Sequence, residues 1–308
     1  MRFLKALSCL LGLAGLASAG EGWKLDESCK TDAIGSMVTD AIQSAFNMAS
    51  DELDAIDKAL NNEDLGENGE NIRNVLKWMF MKDGEEPNGN RLGLLRTNLR
   101  RLLRAREEIT DGDPDDQTIV VYCGLDRFEE REDGLWYDKD IDDVLEKDES
   151  FGACKGAEPT VAYVLVSPGN TPSQLQLCPW FIEWMQGINI KNVHKVDKKS
   201  VFWKILSKGL VKMKAVLTPM DVASLLDKVI LHELTHTRNA GESDDVDGPS
   251  FKTVKYTWKR CRELAREGPD DVQRESQVNA DSIALAGSAI RFIKEGNEVK
   301  EDGSIVKR

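Results

Sequence analysis

The chain has 308 residues, with 41 Lys+Arg against 54 Asp+Glu and a net charge of −13. A composition of 41% hydrophobic and 31% charged residues belongs to a globular chain long enough for a buried core, not to a disordered or fibrous one. The acidic excess argues against nucleic acid and against anionic membrane surfaces, both of which are met with Lys/Arg patches. Neither a P-loop nor a dinucleotide-type glycine loop is present.

The first residues are read as a secretory signal peptide over 1–19. Arg2 and Lys5 precede the apolar run Ala6 to Leu16, and Ala17-Ser18-Ala19 is a small-residue cleavage site. The apolar run is too short for a membrane anchor, so no membrane association is expected. A secreted chain beginning at Gly20 keeps Cys29, Cys123, Cys154, Cys178 and Cys261. Disulfides are expected in an oxidising compartment, but spacing alone does not choose their pairing.

Apolar positions at Ile34, Val38, Ile42, Phe46, Leu53, Ile56 and Leu60 predict a helix over 32–60. A loop over 61–70 leads to a helix over 71–82, and residues 83–90 break it. A third helix is expected over 91–108, with leucines on one side and Arg100, Arg101, Arg104 and Arg106 on a solvated face. After Asp111-Gly112-Asp113-Pro114 the pattern turns strand-like at 117–123, 160–166 and 175–178. The acidic stretch over about 128–150 lacks EF-hand spacing and reads as a solvated loop. Residues 181–186 and 200–212 look helical. A helix over 219–238 has Thr218 as N-cap, Pro219 at its first position and Val222, Leu225, Leu226, Val229, Ile230 and Leu234 facing inward. A last helix spans 278–294, and residues 296–308 are expected to be a flexible tail.

Two of the three histidines lie in that helix as His232-Glu233-Leu234-Thr235-His236. The four-residue spacing stacks both imidazoles on one face, where they can share a metal ion. Glu233, beside the first ligand, is placed to act as general base on a metal-activated water, which is the chemistry of amide hydrolysis. Zinc needs a third protein ligand. A metzincin would have Gly three residues and His six residues after His236, and these positions hold Asn239 and Glu242. Glu263 and Glu267 fit a thermolysin-like third ligand poorly, and His194 lies upstream in a loop. The carboxylates of Gly241-Glu242-Ser243-Asp244-Asp245-Val246-Asp247 remain, which makes an aspartate the natural third ligand.

With these motifs the chain resembles the deuterolysin-type, or aspzincin, zinc endopeptidases, a secreted and mostly fungal family that includes lysine-specific members. Three segments carry the likeness: His232 to His236, Gly241 to Asp245, and Asn279-Ala280-Asp281. Cys29, Cys123, Cys154, the strand at Val161 to Val164, and Leu177-Cys178-Pro179-Trp180-Phe181 follow in the family's order. The resemblance implies an α+β, zincin-like metallopeptidase with a helical N-terminal half, a small sheet and an HExxH active-site helix. It implies bridges Cys29–Cys123 and Cys154–Cys178 and leaves Cys261 unpaired. The helical segment 20–115 then belongs with, or packs on, the metallopeptidase core 116–295.

The family's Gly-Thr is Gly241-Glu242 here, so counting from Gly241 selects Asp244, the Asp-Asp-aliphatic pattern selects Asp245, and Asp247 also lies within range. Asp245 is the expected ligand. The family's tyrosine arrives late, as Tyr256, which is read either as an oxyanion donor or as a tyrosine packed beside Trp258. Asp281 is expected either to hydrogen-bond a ligand or to line the substrate pocket, and Asn279 to cap the helix or support a ligand. Ala284 stands where lysine-specific members carry an acidic residue, which argues against strict lysine specificity. The expected protein is therefore a secreted, monomeric zinc endopeptidase acting on polypeptides. It would hold one zinc ion per chain on His232, His236 and Asp245, with Glu233 and Tyr256 in catalysis. The alternative is an inactive secreted binding protein or effector on the same scaffold.

Overall fold

In the structure of the chain, a computed structural model, residues 21–145, 151–155, 160–188, 218–223, 225–246, 257–267 and 275–308 are described. The signal-peptide residues, His194, the helix expected over 200–212, Asp247 and Tyr256 lie outside them.

The three N-terminal helices form close to where the periodicity puts them: α1 (Asp32–Leu60), α2 (Gly69–Phe80) and α3 (Gly89–Leu102), the last continuing as a 3-10 turn over Leu103–Arg106. Helix α3 starts at Asn88, whose Oδ1 accepts the N–H groups of Asn90 and Arg91 at 3.1 and 3.2 Å, satisfying two donors that have no partner within the helix. Its solvated face is partly tied down: Arg96 and Arg100 both bond Asp57 of α1.

Strand β1 (Gly22–Leu25), which periodicity did not signal, opens the main sheet. Strands β2 (Thr118–Tyr122), β6 (Ala162–Val166) and β7 (Ser173–Leu177) complete it in the order β1-β2-β7-β6. The first three run parallel, and β6 is antiparallel at the edge. Two disulfides staple this sheet. Cys29–Cys123 joins the approach to α1 to the end of β2, and Cys154–Cys178 joins the short helix α4 (Phe151–Lys155) to the end of β7. Cys261 is free and buried. Helix α5 (Pro179–Ile188) follows the second bridge.

The acidic stretch expected as a loop contains a three-stranded antiparallel sheet: β3 (Phe128–Glu130), β4 (Trp136–Asp138) and β5 (Asp143–Leu145). Arg127 anchors it to the main sheet. Its guanidinium lies 3.9 Å from the Tyr122 ring centroid, donates to Asp138 at 2.9 Å, and also bonds Gln176 of β7. This ion pair is buried, so each charge depends on the other for compensation.

The helix expected over 219–238 is two helices. Helix α6 (Pro219–Val222) is a single turn, and Ala223, extended at ψ 144°, separates it from α7 (Leu225–His236). On α7, Leu226, Ile230 and Leu234 are buried as expected, together with Leu231, whereas Leu225 and Val229 stay partly exposed. Helices α8 (Trp258–Glu267) and α9 (Ala280–Lys294) follow. Helices α1, α7 and α9 pack on one another, and α7 also lies beside β6. The closing stretch is not a loose tail. It forms the hairpin β8 (Asn297–Val299) and β9 (Ile305–Lys307), whose tip accepts the Met220 N–H at Gly303 O (3.1 Å) and the Trp258 indole N–H at Glu301 O (2.9 Å). The fold is thus mixed, helical for the most part with small sheets. Among the described residues no helix is long and apolar enough to cross a membrane.

Candidate metal centre

Helix α7 sets His232 and His236 one turn apart, with ring centroids 4.8 Å from each other. The far nitrogen of each ring already has an acceptor. His232 Nδ1 lies 3.0 Å from Asp281 Oδ1, and His236 Nδ1 lies 2.6 Å from the Ser243 carbonyl. A carbonyl can only accept, so His236 Nδ1 carries the proton, and a carboxylate imposes the same tautomer on His232. Both Nε2 lone pairs therefore face inward, 3.1 Å apart.

Asp245 Oδ1 completes the group, 3.4 Å from His232 Nε2 and 3.6 Å from His236 Nε2. A tetrahedral zinc site with bonds of about 2.0–2.1 Å has ligand–ligand edges of about 3.3 Å. The three separations fit that figure, and the donor set is one that zinc favours.

The loop that carries Asp245 owes its course to the residues just after α7. A 3-10 turn over Arg238–Ala240 leads to two left-handed residues, Gly241 at φ 84° and Glu242 at φ 54°. Glycine suits the first for a second reason: a Cβ there would lie 2.8 Å from Asn98 Oδ1 of α3. The turn is also fastened to the main sheet, because Arg238 bonds the carbonyls of Thr171 and Ser167 at 2.9 and 2.8 Å. The chain then doubles back, with the Ser243 N–H on Thr235 O at 2.9 Å. Asp244, the rival ligand, is exposed, and its Oδ1 accepts the Asp245 N–H at 2.8 Å.

Glu233 is buried beside this group, and burial pushes its carboxyl pKa up, with both imidazoles pulling the other way. Burial favours neutral His232, but the charge and hydrogen bond of Asp281, helped by Glu233 and Asp245, outweigh it and raise the pKa to about 9. His236 is raised as well: burial opposes, and Asp245 more than compensates. In the absence of a metal, protons are thus drawn to the nitrogens that face the centre.

The structure brings together His232, His236, Asp245, Glu233 and Asp281. Two supports could not be read from side-chain types. The Ser243 carbonyl that orients His236 is a backbone group. The parallel bridge between Asp244 and Asn279 is a long-range contact. No protein-family model matches the chain, and no curated protein matches it.

Proposed function

We propose that this protein is a secreted zinc endopeptidase with a zincin-like fold, of the deuterolysin type. The observation that carries the reading is the convergence of two Nε2 atoms and a carboxylate oxygen at 3.1, 3.4 and 3.6 Å, with both Nδ1 atoms turned away onto acceptors. Two imidazole nitrogens this close, next to a carboxylate, call for positive charge between them, which a proton supplies in the metal-free protein and a metal ion would supply in its place.

In this reading His232, His236 and Asp245 hold the zinc ion, which when bound supplies Lewis-acid polarisation and water activation. Asp281 and the Ser243 carbonyl keep the imidazoles in the ligating tautomer. Glu233 takes a proton from the attacking water on a carboxylate oxygen and delivers it to the departing amine nitrogen. Its burial, which raises its proton affinity, suits both halves of that transfer. The substrate is an extended polypeptide. Strand β6 lies at the sheet's edge beside α7, and among the described residues it is paired only with β7, so its outer side offers backbone groups to a further strand. The two disulfides fit an oxidising, extracellular setting.

The test is incubation of the purified chain with a mixed peptide library, read by mass spectrometry, alongside zinc quantification and Glu233→Ala. Cleavage by the wild type that is lost in the variant supports the peptidase. A folded wild type that holds zinc at one per chain yet cleaves nothing would overturn the enzyme and leave the binding-protein alternative.

A further inference from the structure

We infer that Asn279 is the positioning residue for Asp245, holding the ligand loop against the start of α9 so that this carboxylate meets the two imidazoles. The inference rests on the metal centre proposed above.

Asp245 lies outside any helix or strand, three residues beyond a left-handed pair, and the hydrogen bonds that fasten the backbone of its loop to α7 end at Ser243. The residues on either side are fastened to one short stretch. The Asp244 N–H donates to Val278 O at 2.8 Å, and Asp244 O accepts the Ala280 N–H at 3.0 Å. On the other flank the Val246 N–H donates to Asn279 Oδ1 at 3.1 Å. Asp245 is therefore flanked by a backbone bridge on one side and by a hydrogen bond to the Asn279 side chain on the other.

Asn279 is itself held. It is buried, and its Nδ2 donates to Ser282 Oγ at 2.9 Å and lies 3.6 Å from Cys261 Sγ. The amide is oriented by chemistry, because only its oxygen can accept from the Val246 N–H. A further sign is what this residue does not do. Asn279 occupies the N-cap position of α9, where an asparagine oxygen ordinarily accepts an N–H from the first turn, yet it makes no side-chain cap bond. Its oxygen serves the Asp245 loop instead. Two residues on, Asp281 bonds His232 at 3.0 Å. The stretch 278–281 thus sets two of the three ligands, one directly and one through Asn279 and the backbone.

The test measures zinc affinity by chelator competition on the full chain for the wild type, Asn279→Ala, Asp245→Ala and the double variant. Visible spectra of the cobalt-loaded forms are recorded in parallel. Asn279→Ala is expected to weaken zinc by about 10–100-fold and to change the cobalt spectrum. In the Asp245→Ala background it is expected to change affinity no further, because the residue it positions is gone. A general structural role would instead lower affinity by the same factor in both backgrounds, and that result overturns the proposal, as does wild-type affinity in the single variant. If Asn279→Ala does not fold, Asn279→Asp keeps an acceptor for the Val246 N–H. Zinc affinity close to that of the wild type supports the proposal, and affinity reduced as far as in Asp245→Ala refutes it. A folded wild type that takes up no zinc would overturn the metal centre itself, an outcome distinct from all of these.

Discussion

Zinc uptake should depend steeply on pH, and Asp281 should set that dependence. In the metal-free protein His232 has its pKa raised from the ordinary 6.5 to about 9. At pH 7 it is therefore protonated by about 100 to 1, and a metal must expel that proton. Apparent zinc affinity should rise about tenfold per pH unit from 7 and level off near 9, with His236 steepening the climb. The same raised value stabilises the metal-free fold. Its contribution is complete below 6.5 and is lost as pH rises through about 9, and the gap corresponds to about 3 kcal/mol. Asp281→Asn keeps an acceptor for His232 Nδ1 but removes the charge, so the imidazole pKa falls back and the plateau arrives near neutral pH. The lost carboxylate should also weaken the intrinsic affinity by about 10–100-fold. The two curves should therefore approach each other near pH 7 and separate above it. Chelator competition from pH 6 to 9.5, with calorimetry in buffers of different ionisation enthalpy, reads both affinity and proton release. A wild-type affinity that stays flat from pH 7 to 9, or variant and wild-type curves that run parallel throughout, would refute the reasoning.

Gly241→Ala should lower stability by about 1–2 kcal/mol through its positive φ, and should weaken zinc as well because the new Cβ would meet Asn98; thermal melts with and without zinc check both. Glu52 of α1 is fully buried, and neither carboxylate oxygen has a hydrogen-bond partner among the described residues. Burial alone raises its pKa well above the ordinary 4.5, so stability should fall as pH rises beyond that value, the native state holding the proton longer than the unfolded chain. Glu52→Leu should add about 1–3 kcal/mol at neutral pH and flatten that decline; urea denaturation at pH 5 and pH 8 tests it. Removing the Cys29–Cys123 bridge, which spans 94 residues, should cost about 4–5 kcal/mol by loop entropy, read as a lowered melting temperature under non-reducing conditions.

What could be read from the sequence followed the range of the interaction. Helices α1, α2, α3 and α9 carry their own period, and the four-residue spacing of His232 and His236 makes them neighbours on any helix. Which carboxylate meets the two imidazoles did not follow in the same way. Asp244 and Asp245 are adjacent in the chain, and the choice between them is made by the left-handed pair Gly241-Glu242 and by hydrogen bonds to Val278 and Asn279, more than thirty residues away. The β3–β5 sheet escaped detection because its strands are three residues long, too short for alternation to show, and because Asp138 is buried against Arg127 while Glu129 and Glu130 face water. The break at Ala223 was hidden because Pro219 and Thr218 are as good a start for one turn as for five. Strand β1 owes its pairing to the distant Thr118 to Val121, whereas the closing hairpin pairs with itself and is docked through its tip on the Met220 and Trp258 N–H groups.

The places where local rules are broken separate into two kinds. Around Asp245 several occur together: two consecutive left-handed residues, an N-cap asparagine that does not cap, and the buried carboxyls of Glu233 and Asp281. Each is unfavourable or neutral by itself, and in the proposed metal centre each has a purpose, because each would fix a ligand, a tautomer or a proton acceptor around a cation between His232, His236 and Asp245. Glu52 breaks the rule on buried charge just as plainly, yet it packs at the α1–α9 contact, where a Cβ on Gly287 would lie 3.3 Å from its Oε2. No titratable neighbour contributes to its pKa shift, whose only cause is burial. The distinction is open to measurement: zinc should enlarge the stability loss of variants in the first group, because a weaker site gains less from the ion than the wild type does, and should leave the effect of Glu52→Leu unchanged.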